Sequence, residues 1–70
     1  MQYAIKYVAI SNDKVLCIKG WCRKDKLFSN QIRLFENKAQ CRYYFQTHYR
    51  DAKYEIVKVI VKIEVVYDEQ

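Results

Sequence analysis

The last part of the chain carries an alternation of residue types that strongly limits the fold. Residues 54–67 read YEIVKVIVKIEVVY. A period of two is typical of a β-strand, because successive side chains point to opposite faces. The pattern predicts a strand with one apolar face and one face that mixes isoleucine with lysine. The first set is Val57, Val59, Val61, Ile63, Val65 and Tyr67, and the second is Ile56, Lys58, Ile60, Lys62, Glu64 and Val66.

Size and composition predict one small domain over residues 1–70. A chain of 70 residues has little surface to bury, so its 51% apolar share must supply most of the stability. The formal net charge is +5. This charge favours acidic partners such as nucleic acid, a membrane surface or an acidic protein patch. It is equally compatible with lysines that only keep the protein soluble.

Cysteine usage predicts a reducing, intracellular location, the cytoplasm. The three cysteines are an odd number without the spacing of a disulfide framework. The first ten residues, MQYAIKYVAI, lack the pattern of a signal peptide. No apolar run approaches the roughly 18 residues that a membrane-spanning helix needs. We therefore expect free thiols and no membrane insertion.

The order of elements is predicted to be β-β-β-α-β. Strands are expected near residues 2–9, 14–22 and 31–35, with a polar turn at 11–13 and a charged loop at 23–26. A helix should follow over 38–50, because Asn37 is a good N-cap and Gln40 lies three residues later. The last strand is expected to return beside and parallel to the first, giving the order 3-2-1-4.

These elements predict an α+β fold with two layers, in which one helix covers one face of a mostly antiparallel sheet. The helix side that carries Cys41, Tyr44, Phe45, His48 and Tyr49 should pack on the apolar side of the last strand, together with Tyr3, Ile5 and Tyr7. Nothing in the sequence is then left to cover the other face. That face is either solvated or a partner-binding or dimer face, and its candidate residues are Lys6, Ile56, Lys58, Ile60 and Lys62.

Catalysis and metal binding are not predicted. Cys17, Cys22, Cys41 and His48 are the only residues of the usual zinc-binding types C and H, and their spacing matches no zinc motif. A Cys41–His48 pair lacks a third orienting residue. The single glycine, Gly20, excludes glycine-rich phosphate loops. We expect neither a metal, nor a cofactor, nor enzymatic activity.

Nucleic-acid binding is the main alternative to protein binding. Eleven aromatic residues occur among thirteen basic ones, and single strands bind where aromatic rings lie beside cations. Most aromatics fall at spacings typical of a core. The places to look are a basic loop and a pair on the helix. The loop comprises Trp21, Arg23, Lys24 and Lys26, and the helix pair is Arg42 with Tyr43.

Residues 34–64, LFENKAQCRYYFQTHYRDAKYEIVKVIVKIE, resemble a pattern found in small phage and mobile-element proteins. A strand ending in phenylalanine precedes a capped helix with paired large apolar residues, and a Val/Ile-rich strand follows. The resemblance implies an accessory protein that binds and inhibits a host enzyme, as anti-CRISPR and other counter-defence factors do. The basic charge argues against mimicry of DNA. We thus expect a non-enzymatic inhibitor that blocks a host protein or a protein–nucleic-acid complex. A second copy could close the open sheet face or pair with the final strand, and a basic nucleic-acid-binding module is the alternative.

Overall fold

The computed structural model describes residues 2–63, without the side chain of residue 28. The predicted α+β fold, with a helix on one face of an antiparallel sheet, is confirmed. The four strands lie in the order β3-β2-β1-β4. The predicted continuation of the last strand to Tyr67 lies outside the described residues. The elements are β1 (Gln2–Ser11), β2 (Lys14–Cys17), β3 (Gly20–Arg23), a 3-10 helix (Lys24–Phe28), α1 (Lys38–His48) and β4 (Glu55–Ile63).

A tight hairpin divides the region that was predicted as one long second strand. The chain turns at residues 18–19, and Gly20 adopts φ +127°, a backbone angle that residues other than glycine rarely adopt. Strands β2 and β3 then pair antiparallel, with Leu16 opposite Trp21. The third strand of the sheet is therefore residues 20–23, and its predicted placement at 31–35 is wrong.

Residues 31–35 instead form backbone hydrogen bonds to both β1 and β2 at the place where those strands separate. The N–H and C=O of Phe35 exchange hydrogen bonds of 2.8 and 2.9 Å with Tyr7 of β1. The N–H of Arg33 donates to the carbonyl of Leu16 in β2 at 3.0 Å. Direct β1–β2 pairing is limited to the two residue pairs nearest their turn. The segment thus satisfies backbone groups of both strands beyond that turn.

Strand β4 runs antiparallel to β1, so the predicted parallel arrangement is wrong. Their register extends from Gln2 opposite Ile63 to Ile10 opposite Glu55. Residues that face each other across two strands lie on the same side of the sheet. Odd residues of β1 therefore share a face with even residues of β4. The sequence pattern had instead predicted that odd residues of both strands lie on one face, beneath the helix.

The helix begins where the sequence predicts and ends slightly earlier. Asn37 caps it, because its Oδ1 accepts a hydrogen bond from the N–H of Gln40 at 2.8 Å. The side chain of Gln40 reaches back and accepts from the N–H of Glu36, also at 2.8 Å. This is a variant of the capping box. In the usual form the returning side chain accepts from the N–H of the N-cap residue, whereas here it accepts from the N–H of the residue before it. The last helical residue is His48 and not Arg50.

Apolar side chains form one cluster on each face of the sheet. The helix-side cluster is centred on Ala9, Leu16, Phe35, Cys41 and Phe45. The second cluster contains Val8, Ile10, Val15 and Cys17, and Leu27 and Ile32 pack against it. Residues from the 3-10 helix and the following segment therefore cover part of the face that was predicted to be bare. Val57 and Val59 lie on that face and not beneath α1, which corrects the predicted orientation of β4.

The molecule is elongated, with principal extents of 46 × 24 × 22 Å. Its radius of gyration is 13.5 Å, whereas a compact domain of this length has about 11 Å. The ten residues of β1 alone span roughly 33 Å. We use the term distal ribbon for residues 2–6 of β1 with residues 58–63 of β4, the end of the strand pair farthest from the β1–β2 turn.

Replacing the N-cap tests how the helix is held. We expect Asn37→Ala to lower the free energy of unfolding by about 1 kcal/mol, because the N–H of Gln40 loses its acceptor. For a domain of this size the midpoint of thermal unfolding should fall by about 4–8 °C. Gln46→Ala, at an exposed position inside the same helix, is the matched control and should change stability little. Unfolding would be monitored by circular dichroism. An equal loss of stability in both variants would contradict the capping role.

Candidate functional site

The distal ribbon exposes large apolar side chains on the helix side of the sheet. The exposed fractions are 65% for Tyr3, 54% for Ile5 and 71% for Ile60. Ile5 lies directly opposite Ile60, and Tyr3 lies opposite Lys62. Lys58 follows on the same face of β4 and is exposed. We call these five residues the ribbon face: Tyr3, Ile5, Lys58, Ile60 and Lys62.

The ribbon face is open because α1 covers only the other end of the same strands. Tyr7 and Ile56 pack against the cluster formed with Cys41 and Phe45 of the helix. Helix α1 has only 11 residues, and at 1.5 Å per residue it is about 16 Å long, half the length of β1. The same sheet surface thus changes from core to exposed apolar face along the strands.

The predicted sheet-face site is only partly brought together. Lys58, Ile60 and Lys62 lie side by side on the exposed surface. Ile56 is half-buried beneath α1. Lys6 faces Val59 across the strands, hence on the opposite side of the sheet, and it forms an ion pair with Glu36.

Two residues of the ribbon face were not among the predicted binding residues. Tyr3 and Ile5 had been placed under the helix. The signal that could have identified them is the register of β4 against β1, which brings even positions of β4 opposite odd positions of β1. Alternation within one strand cannot supply that register.

The outer backbone edge of β4 is a second feature of the distal ribbon. Both the N–H and the C=O of Tyr7 bond to Phe35, on the side of β1 away from β4. Tyr7 and the facing Lys58 are therefore a pair without mutual hydrogen bonds, and the backbone groups of Lys58 point outward. By alternation the same holds for Ile56, Ile60 and Lys62. Within residues 2–63, no strand pairs with this edge.

The predicted basic loop is divided by the fold. The ring of Trp21 packs in the helix-side cluster, with its centroid 5.9 Å from those of Phe45 and Tyr49. Arg23 is exposed and forms an ion pair with Asp25 at 3.1 Å. Lys24 and Lys26 lie exposed on the 3-10 helix. The tryptophan ring thus belongs to the core, whereas the three cations are exposed.

A cation and two rings form a stack beside α1. The guanidinium of Arg33 lies 4.8 Å from the ring centroid of Tyr44, and His48 stacks on Tyr44 at 4.3 Å. The adjacent ring of Tyr43 is 68% exposed. These residues line an open hollow of about 320 Å³. We call it the helix hollow, and its remaining lining residues are Leu34, Phe35, Gln40 and Thr47.

The cysteines lie in surroundings that favour neutral thiols. Cys41 is fully buried, and burial raises its pKa. Burial, and then a hydrogen bond with Cys22, raise the pKa of Cys17 to about 11. A catalytic cysteine needs the thiolate form, which this environment opposes. Among the described residues, no three side chains of the types that bind metals come together, and no helix is long and apolar enough to cross a membrane.

The raised pKa of Cys17 predicts a loss of stability in alkali. The ordinary pKa of 9.0 applies to the unfolded chain, whereas the folded thiol keeps its proton up to about pH 11. Between these values the unfolded state binds fewer protons, so the free energy of unfolding falls as pH rises. We expect a smaller fall in Cys17→Ala, measured by urea denaturation at several pH values across this window. An identical pH dependence in both proteins would contradict the assignment.

Comparison with known proteins adds no relative to this geometry: no protein-family model, no curated protein and no solved structure matches the chain.

Proposed function

We propose that this chain is a non-enzymatic binding module that attaches to another protein through the ribbon face. The observation that carries the proposal is the exposed Ile5–Ile60 pair, in which two facing isoleucines are more than half exposed beside Tyr3. Contiguous apolar patches on small soluble proteins are often interaction sites.

The chemistry of the ribbon face fits a protein partner. Fully burying an isoleucine is worth about 1.5–3 kcal/mol, so covering Ile5 and Ile60 provides a substantial driving force. Tyrosine is enriched at the centre of protein interfaces. Lys58 and Lys62 border the apolar pair, and they suit a partner surface that is apolar at its centre and acidic at its rim.

A protein partner is favoured over nucleic acid at this surface because its central facing pair, Ile5 and Ile60, is aliphatic. Isoleucine offers no ring for base stacking and no hydrogen bond to a base edge. The inhibitory role implied by the sequence resemblance, and the absence of enzymatic activity, stay predictions. Burial of Cys41, the candidate nucleophile, is consistent with a binding role.

Two exposed isoleucines provide a matched test. Immobilised wild-type chain, Ile60→Ser and Ile18→Ser would each be incubated with nuclease-treated extract of the source cells, and bound proteins quantified by mass spectrometry. Ile18 is 58% exposed and lies outside the ribbon face. We expect a specific partner that Ile18→Ser retains and Ile60→Ser loses about tenfold or more, as for a central interface residue.

Titration of that partner, once purified, against the same three proteins confirms direct contact. Equal retention by Ile60→Ser and Ile18→Ser would remove the ribbon face as the binding site. Loss in both variants would indicate general damage, which circular dichroism of the free proteins detects.

A second candidate function is binding of single-stranded nucleic acid at the helix hollow. The specific observation is the exposed ring of Tyr43 beside the Arg33–Tyr44–His48 stack, with Arg42 exposed next to it. Rings and cations side by side are the usual elements of such sites.

Salt and charge substitutions separate the two candidates. Fluorescence anisotropy with a labelled oligonucleotide should show an affinity that falls steeply with salt, because phosphate contacts release counterions. Tyr43→Ala should weaken this binding by about 1–3 kcal/mol if the helix hollow stacks a base.

Lys58→Glu with Lys62→Glu tests the ribbon face, and a triple change at Arg23, Lys24 and Lys26 tests the basic loop. Absence of salt-sensitive binding in the wild type would eliminate this candidate.

A further inference from the structure

We infer that a second copy of this chain pairs with the outer edge of β4, antiparallel and about a two-fold axis at Val59. The pairing would join two four-stranded sheets into one continuous sheet. The inference concerns the backbone edge and not the ribbon face, so it stands whether or not the proposed function is correct.

Within the described residues, β4 is the longer of the two edge strands of the sheet, and no further strand lies beyond it. Strand β4 has nine residues, whereas β3 at the other side of the sheet has only four. The chain contains no proline that would interrupt pairing. On β1 the fold covers part of the equivalent edge through the Tyr7–Phe35 bridge. Along β4, no such bridge is present within residues 2–63.

The sequence of β4 is complementary to itself about its central residue. An axis through Val59 brings Glu55 opposite Ile63 of the second copy, so the strand overlaps over its full length. Lys58 then faces Ile60, and Lys62 faces Ile56. All of these are even-numbered positions, whose backbone groups point outward. The Lys58–Ile60 pair, which the symmetry forms twice, would alone provide about four new backbone hydrogen bonds.

Charge selects this register over its neighbours. An axis at Ile60 would place Lys58 directly opposite Lys62, and an axis at Lys58 would place that residue opposite its own copy. Like charges in directly facing positions destabilise a strand pair. With the axis at Val59, each lysine faces an isoleucine, and its aliphatic stem can cover that neighbour.

The other face of the strand adds apolar contacts. Val59 would face its own copy, and Val57 would face Val61. All three side chains are partly exposed in the single chain, so the second copy covers apolar area as well as hydrogen-bonding groups. The resulting interface is isologous, the commonest arrangement in homodimers.

The lysines of the two copies would still approach each other diagonally. Diagonal neighbours lie roughly 7–8 Å apart. This separation is shorter than the Debye length of about 10 Å at 0.1 M salt, so the lysines repel each other there, and it exceeds the Debye length of about 3 Å at 1 M, where the repulsion is screened. We therefore expect dimerisation to strengthen as salt rises. Nucleic-acid binding would respond to salt in the opposite direction.

Cysteine cross-linking tests the register directly. In a Cys22→Ser background, which removes the partly exposed native thiol, Val59→Cys would place two thiols at the axis. Facing residues without mutual hydrogen bonds have Cα atoms about 4.5 Å apart, a separation that a disulfide spans. Mild oxidation should yield at least about tenfold more covalent dimer than Val61→Cys, whose two copies would lie roughly 14 Å apart.

Val61→Cys is a matched control, because it lies on the same face of the same strand and is also half-buried. A mixture of Val57→Cys and Val61→Cys chains should cross-link to each other, since these positions face across the proposed axis. Ile5→Cys reports packing of one ribbon face on another. The proposed pairing would be overturned if the Ile5→Cys variant cross-linked and the Val59→Cys variant did not. It would also be overturned if the Val59→Cys and Val61→Cys variants cross-linked equally.

Mass measurement by sedimentation equilibrium supplies the independent readout without substitutions. The unmodified chain should shift from monomer to dimer between micromolar and millimolar concentration, and the shift should occur at lower concentration when salt rises. A monomer throughout this range, or a dimer that high salt dissociates, would overturn the inference. Failure here leaves the partner capture by the ribbon face untouched, because that experiment does not require a second copy.

Discussion

The antiparallel register between β1 and β4 determines nearly every functional feature of this molecule. It places Ile5 opposite Ile60 on one side of the sheet and Lys6 opposite Val59 on the other. It also directs the outward backbone groups of β4 to its even positions. A shift of one residue would exchange the two faces, burying lysines and exposing valines. Apolar residues on both faces oppose such a shift, because each face has its own covering segment near the β1–β2 turn.

The core that holds this register is concentrated around one helical side chain. Phe45 is 2% exposed and stacks on Tyr54 with a centroid separation of 3.8 Å. Trp21 and Tyr49 contact the same ring from β3 and from the helix end. Aromatic residues bury large areas, which suits a chain too short to assemble many aliphatic layers. The aromatic residues near the helix are therefore buried in the core. The exposed apolar surface of the distal ribbon is formed mainly by Ile5 and Ile60, beside Tyr3.

Local signals in the sequence predicted local structure well. The cap at Asn37 and the alternation in β4 identified a helix and a strand from interactions between near neighbours. The hairpin at Gly20 was missed because the apolar run through Leu16 and Trp21 hides a turn that depends on one backbone angle. The direction and register of β4 were missed because alternation is the same in parallel and antiparallel strands and in every register. The register decides which residues accompany Ile60, so the predicted site contained its lysines but not Tyr3 or Ile5.

The spacing of Lys58 and Lys62 determines in which registers the edge of β4 can pair with another strand. Charged residues on an edge strand usually prevent uncontrolled association. Lys58 and Lys62 do so for the neighbouring registers, since a shift of the axis to Lys58 or Ile60 sets lysines opposite each other. Registers whose axis lies at an odd residue are free of direct opposition, and among these the register about Val59 overlaps the described strand over its full length. A pair formed in that register is isologous, so the two β4 edges cover each other and association through this edge ends at two chains.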